Sequence, residues 1–202
     1  HLHCKNCKRY SGHIHTKHYR YSSCAMTKFI VDGNKATKTI DFEWSRQEYN
    51  LAKEVTNSSK IYTDLYDYID SHTYQHEWLD NAKPLHDFVH IIIQNFGTLD
   101  VTSEDIELAY YVLSDALQTC LEHRKIIEEL NKTYPDFWYS DFTPYNLVVT
   151  EDHSIKIIDL DAFRNGTNYK NTGCAMDDRL IHTINTIIYW QKTIAFHRKV
   201  AQ

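Results

Sequence analysis

The chain has 202 residues, with 22 Lys and Arg against 27 Asp and Glu and a net charge of −5, which argues against a broad basic footprint for nucleic acid. Hydrophobic residues make up 42 %, with only 5 Gly and 3 Pro: the apolar content of a folded body, one domain or one of two lobes, and not of a low-complexity chain. The longest apolar runs, such as Phe88 to Ile93, fall well short of the ~20 residues that span a bilayer, so no transmembrane helix is expected.

The chain opens on His1-Leu-His-Cys4-Lys-Asn-Cys7, followed by His13, His15, His18 and Cys24, with thiols and imidazoles at zinc-like spacing. One Cys-x-x-Cys is half a signature, so residues 1–18 read either as a polar arm or as a zinc knuckle holding Zn2+ on Cys4 and Cys7 with nearby His. Because the first residue is His1, a targeting segment lost upstream stays open. From Tyr19 to Ile40, Thr27-Lys-Phe-Ile-Val31, the turn Asp32-Gly33-Asn34 and Lys35 to Ile40 predict a hairpin. Ser45 with Glu48 forms a capping-box pattern, and Tyr49, Leu51, Ala52 and Val55 at helical spacing predict a helix over 44–56. Lys60 to Ile69 alternates apolar and polar residues and Phe88 to Gln94 is β-branched, so both predict strands.

After Thr102-Ser103, the spacing of Ile106, Ala109, Tyr110, Leu113, Leu117 and Leu121 predicts one long amphipathic helix over 104–131. Asn146 to Thr150 and Ile155 to Ile158 form a second hairpin, and Asp177 to Phe196 a second long helix. Cysteine use leaves the compartment unsettled. Five Cys cannot all pair within one chain and Cys120 sits in a helical pattern, which favours a reducing cytoplasm. The sequons at Asn57, Asn131 and Asn165 count only in a secretory lumen.

Between Tyr139 and Phe163 the chain reads Tyr-Ser-Asp141-Phe-Thr-Pro144-Tyr-Asn146 and then, beyond the hairpin, Asp159-Leu-Asp161. Phosphoryl transfer needs a carboxylate to orient a hydroxyl and take its proton, and oxygen ligands for magnesium on the phosphates; Asp141, Asn146 and Asp159 have those chemistries. The block resembles the catalytic loop and metal motif of the protein-kinase-like superfamily. Asp141 to Asn146 matches Asp-x-x-x-x-Asn, and Asp159 matches the Asp of Asp-Phe-Gly. Lys35-Ala-Thr-Lys38 is similar to the family's Val-Ala-Ile-Lys strand, and Arg46-Gln-Glu48 to the helix that supplies the Glu partner. The resemblance covers about residues 20–190.

It implies an α+β, bilobal protein-kinase-like fold: an N-lobe over 19–97 with a small antiparallel sheet and one helix, and a minimal, mainly helical C-lobe over 98–202, with a hinge at Gln94–Gly97. It implies ATP and Mg2+ or Mn2+ as cofactors, Asp141 as base, and Asn146 and Asp159 as metal ligands. Lys38 would contact the α/β-phosphates, held by Glu48. Lys35 or Glu43 takes these last roles if the register shifts. Asp161 is a second metal ligand or a turn residue, and Asp177 or Asp178 braces the catalytic loop or caps its helix. The chain departs from the family pattern. No glycine-rich loop is present, and Tyr21 to Ala25 stands in its place, leaving Ser22 and Ser23 to meet phosphate. Tyr139-Ser140 replaces His-Arg, Thr143 stands where serine/threonine kinases carry Lys, and no Ala-Pro-Glu is found. The expectation is an atypical protein kinase acting on Ser, Thr or Tyr hydroxyls. The alternatives are a small-molecule kinase, a pseudokinase that binds nucleotide or a partner without catalysis, and a zinc-dependent interaction module.

Overall fold

The structure, a computed structural model, describes residues 28–98, 100–166 and 176–200. The Cys4/Cys7 arm, Thr27 at the start of the first predicted strand and the Ser22-Ser23 loop lie outside these residues, as does the side chain of Asp177. Strands β1 (Lys28–Asp32) and β2 (Lys35–Thr39) form the predicted hairpin. Its two-residue loop places Gly33 at φ 58°, in the region only glycine enters without steric cost. Helix α1 (Arg46–Ser58) follows. Ser45 accepts from the Glu48 amide while Glu48 accepts from the Ser45 amide, the capping box expected from the sequence. Strands β3 (Leu65–Asp70) and β4 (Thr73–Glu77) complete an antiparallel sheet in the order β1-β2-β4-β3, with Lys38 opposite Tyr74.

The chain then passes through Trp78–Ala82 to β5 (Lys83–Pro84), α2 (Leu85–Gln94) and the long α3 (Ser103–Leu130). Three-residue strands β6 (Phe137–Tyr139), β7 (Leu147–Val149) and β8 (Ile155–Ile157), a 3₁₀ turn over Leu160–Ala162, β9 (Phe163–Asn165) and α4 (Met176–Val200) complete the described residues. β7 pairs with β8 as the predicted second hairpin, and β6 pairs with β9. The molecule is thus a mixed α/β structure of small antiparallel sheets and, among the described residues, four α-helices.

Two expectations are corrected. Phe88–Gln94 lies in helix α2 and is not a strand. A short apolar run satisfies either period. Here Leu85, Val89 and Ile92 are buried at helical spacing while Ile91 is 53 % exposed, a one-sided burial that a strand over 88–94 would not give. α2 also packs on β7, α3 and α4, so the passage out of the four-stranded sheet is Trp78–Ala82, ahead of the expected hinge at Gln94–Gly97. One hydrophobic cluster runs through the described residues. Trp44, ahead of α1, donates from its indole to the Phe163 carbonyl at 3.0 Å, and Phe163 stacks on Phe137 at 5.4 Å between centroids. Cys120 is buried in α3, where burial pushes its thiol up to about 12, so it packs as an inert small apolar group.

Candidate functional site

Side chains alternate across a strand, so Ala36 and Lys38 of β2 point inward while Lys35 and Thr39 are exposed. This resolves the register: Lys38 is the interior cation, and Lys35 lies over the Tyr66 ring at the surface. A buried ammonium is tolerated only when paired. Lys38 Nζ donates to Oδ1 of both Asp159 and Asp161, and the Tyr74 hydroxyl donates to Asp161. Burial lowers the proton affinity of Lys38, but the charges of Asp161 and Asp159 outweigh it and hold the ammonium above its ordinary range. Burial also raises Asp161, yet Lys38 and the Tyr74 hydrogen bond bring it below the usual carboxylate range. Asp159 goes the other way: burial and the Asp161 charge raise it against the pull of Lys38.

Asp159 sits at φ 63°, ψ 49°, a left-handed conformation that costs a side-chain-bearing residue about 1–2 kcal/mol. The following turn fixes it, because the Ala162 amide donates to the Asp159 carbonyl at 2.9 Å. The Ser140 amide and hydroxyl donate to the Ala162 carbonyl at 2.8 and 2.9 Å, and the Tyr139 hydroxyl donates to the Ile158 carbonyl at 2.5 Å. The β6–β9 pair therefore draws the Asp159 segment against the start of the Asp141 loop.

Within that loop, Asn146 Nδ2 donates to the Asp141 carbonyl at 2.9 Å and to Asp141 Oδ2 at 3.1 Å. The Asn146 amide closes a turn onto Thr143, and the Ile158 amide donates to the Asn146 carbonyl at 2.9 Å, tying the loop to the approach to Asp159. Two helices hold it from outside. The His86 amide of α2 donates to the Pro144 carbonyl at 3.3 Å, and buried Thr183 of α4 donates from Oγ1 to the Phe142 carbonyl at 2.9 Å. Arg179, one turn before Thr183, donates from Nη1 to Asp141 Oδ1. The sequence gives no spacing signal for Thr183 or Arg179. Among the described side chains, Thr183 and Arg179 of α4 reach the loop and Asp178 is exposed, while the side chain of Asp177 lies outside the described residues.

Glu48 is not brought to Lys38. Its Oε2 accepts from the Ser45 amide and hydroxyl at 3.0 and 2.9 Å, and its Oε1 accepts from the Asn165 amide at 3.1 Å. The cause lies in the sequence: with only ten positions from Lys38 to Glu48, Glu48 falls in the first turn of α1, and the helix start takes its carboxylate. Glu43 is exposed and does not replace it. Asp161 proves to be a buried counter-ion, its Oδ1 taken by Lys38 and Tyr74, and not a turn residue at the surface.

These groups floor a cleft of about 490 Å3 between the four-stranded sheet and the helical part. Phe29, Trp78, Val148 and Leu160 give it apolar walls, Lys38 and Asp159 a charged end, and Asp141, Tyr145 and Asn146 a rim. His76 lines it as a neutral ring: burial and the nearby Lys38 bring its imidazole down to about 4, and Nδ1 donates to the Glu77 carbonyl at 2.7 Å. Among the described residues no three His, Cys, Asp or Glu side chains gather to hold a metal by themselves, and no helix is long and apolar enough to cross a membrane. The chain matches no protein-family model and no curated protein sequence.

Proposed function

We propose that the chain is an ATP-dependent phosphotransferase of the protein-kinase-like class, an atypical kinase acting on the hydroxyl of a protein acceptor, with the cleft as nucleotide site between two lobes. The observation that carries this reading is the convergence of Lys38 on Asp159 at the charged end of the cleft, across from the Asp141–Asn146 loop. The apolar walls beside Trp78–Ala82 would hold the adenine, and Lys38 would hold the phosphates. Asp141 orients the acceptor hydroxyl and receives its proton. The acceptor oxygen forms a bond to the γ-phosphorus, the bond to the bridging oxygen breaks, and ADP leaves with that electron pair.

The donor set fits magnesium. The Asn146 amide nitrogen is spent on Asp141, which leaves its oxygen as a ligand, and Asp159 keeps one carboxylate oxygen off Lys38 on a side chain 35 % exposed. Bound there, magnesium would offset the charge of the phosphates, with Asn146 and Asp159 as its protein ligands. Asp161, enclosed by Lys38 and Tyr74, is the weaker ligand. A nucleotide also gives Lys38 an anionic partner in exchange for Asp159.

Incubation with labelled ATP and magnesium, alone and with panels of protein and hydroxylated small-molecule acceptors, tests the reading. Asp141→Asn is expected to keep nucleotide binding and cut transfer to a small residual rate; full activity in that variant removes the base assignment. The engagement of Lys38 by two carboxylates, together with the commitment of Glu48 elsewhere, favours a second reading in which the fold is a scaffold without transfer. ATP with magnesium at ~100 times its dissociation constant should add ~2.7 kcal/mol of stability in the first reading. The absence of both a thermal shift and transfer leaves the second.

A further inference from the structure

We propose that Arg179 is a catalytic cation of this site: its guanidinium passes from Asp141 to the transferring phosphoryl group and supplies positive charge at the acceptor end of the reaction. The proposal rests on the phosphotransferase reading above. In the loose transition state of phosphoryl transfer, charge spreads over three equatorial oxygens, and cations placed around them lower the barrier. One cation of this site, Lys38, is fixed at the far end by Asp159 and Asp161. The loop at the acceptor end, Asp141-Phe-Thr-Pro-Tyr-Asn146, contains no basic residue. The guanidinium of Arg179 fills that position from another element, bonded to Oδ1 of the carboxylate that would orient the acceptor hydroxyl. A group that touches the base lies beside the oxygen attacking phosphorus.

Three features suit Arg179 to this role. Its position is fixed by the helix, since Thr183 lies one turn along the same face of α4 and is anchored on the Phe142 carbonyl. The pair with Asp141 is 45 % and 41 % exposed, so it contributes little to stability and separates at small cost. A planar guanidinium offers five N–H donors, and with Nη1 on Asp141 the others can meet phosphoryl oxygens in a fork that a lysine lacks. In the transfer step Arg179 forms no covalent bond and exchanges no proton: as the acceptor proton reaches Asp141, the negative charge on that carboxylate is lost, and the guanidinium turns to the phosphoryl oxygens.

The experiment compares the full chain with Arg179→Ala and Arg179→Lys, measuring kcat, the KM for ATP and the thermal midpoint. Arg179→Ala is expected to lose about 10²–10³-fold in kcat, with KM and midpoint nearly unchanged. Arg179→Lys should recover part of the loss, as should guanidinium ion added to Arg179→Ala. In an Asp141→Asn background, Arg179→Ala should reduce residual transfer further. No further loss there would make Arg179 a positioning residue for Asp141 and overturn the proposal, as would a kcat within about twofold of the parent chain in Arg179→Ala. If the parent chain itself transfers no phosphate, the underlying reading fails and this proposal falls with it, a result distinct from an active parent with an active Arg179→Ala.

Discussion

The ammonium of Lys38 and the hydroxyl of Tyr74, facing neighbours on β2 and β4, donate to the same oxygen of Asp161. A strand pair thus aims two donors at one carboxylate in the loop after β8, and the sheet is held to the helical part through a charged, buried contact. Removing the cation leaves Asp159 and Asp161 facing each other with nothing between them. Lys38→Met is expected to destabilise the fold by about 3–5 kcal/mol, more than Tyr74→Phe, which removes one hydrogen bond to a charge and should cost about 1.5–3 kcal/mol. Urea unfolding of the two variants against the parent chain checks the order.

Glu48 gives a contrast. Because its carboxylate closes the start of α1 and accepts from Asn165, Glu48→Ala is expected to cost about 2 kcal/mol of stability while leaving ATP affinity within about twofold. If calorimetric titration showed a tenfold loss of ATP affinity instead, a functional Lys38–Glu48 pair would have to form once nucleotide binds.

Two buried imidazoles set an acid limit. His76, by burial and the charge of Lys38, and His123, by burial, are brought down to about 4 and about 3, so both are neutral in the folded chain where they would charge when unfolded. Their contribution is complete above the ordinary histidine range and is lost as pH falls from about 6.5 toward 3, because the unfolded chain binds protons that the folded one refuses. Stability should fall by about 1.4 kcal/mol per pH unit for each histidine, down to a pH of about 4 for His76 and about 3 for His123. Unfolding measured from pH 7 to pH 4 should show a proton uptake that drops by about one in His123→Gln. An unchanged uptake in that variant would remove His123 from the account.

The left-handed backbone of Asp159 predicts a ranking among its substitutions. Asp159→Asn, in a residue type that tolerates positive φ, should fold nearly as well as the parent, whereas β-branched Asp159→Val should cost about 2 kcal/mol more. Both should lose metal-dependent transfer. Thermal melts separate the backbone effect from the chemical one.

How far the sequence could be read depends on how local each signal is. The α3 pattern, its cap at Thr102 and the capping box at Ser45 are written within a few turns, and the structure has them in place. The spacing of Asp141 and Asn146, five positions apart, marked both out, but the hydrogen bond between their side chains is a contact the sequence did not show. Phe88–Gln94 was not legible as a helix, because Val89 and Ile91–Ile93 favour strands by propensity, and only packing on β7, α3 and α4 decides for helix. β6 and β9 are three residues each, too short for alternation to register, and β4 was lost among Tyr, Gln and His. The partner of Lys38 was misassigned because a cap and an ion pair compete for one Glu, and the closer demand prevails. Arg179 reaches Asp141 across 38 positions, a separation at which no sequence pattern operates.

The contact between Lys38 and Asp159 spans 121 positions and bears on how the chain is made. On the ribosome the hairpin of β1 and β2 emerges long before its charge partners. Until residues 159–161 follow, the ammonium has no counter-ion, and burying it would be costly. The sheet can therefore pair its strands early but cannot close over Lys38. A chain stopped before Asp159 should expose that face to chaperones and proteases, and final docking of the sheet should wait until residues 159–161 have emerged.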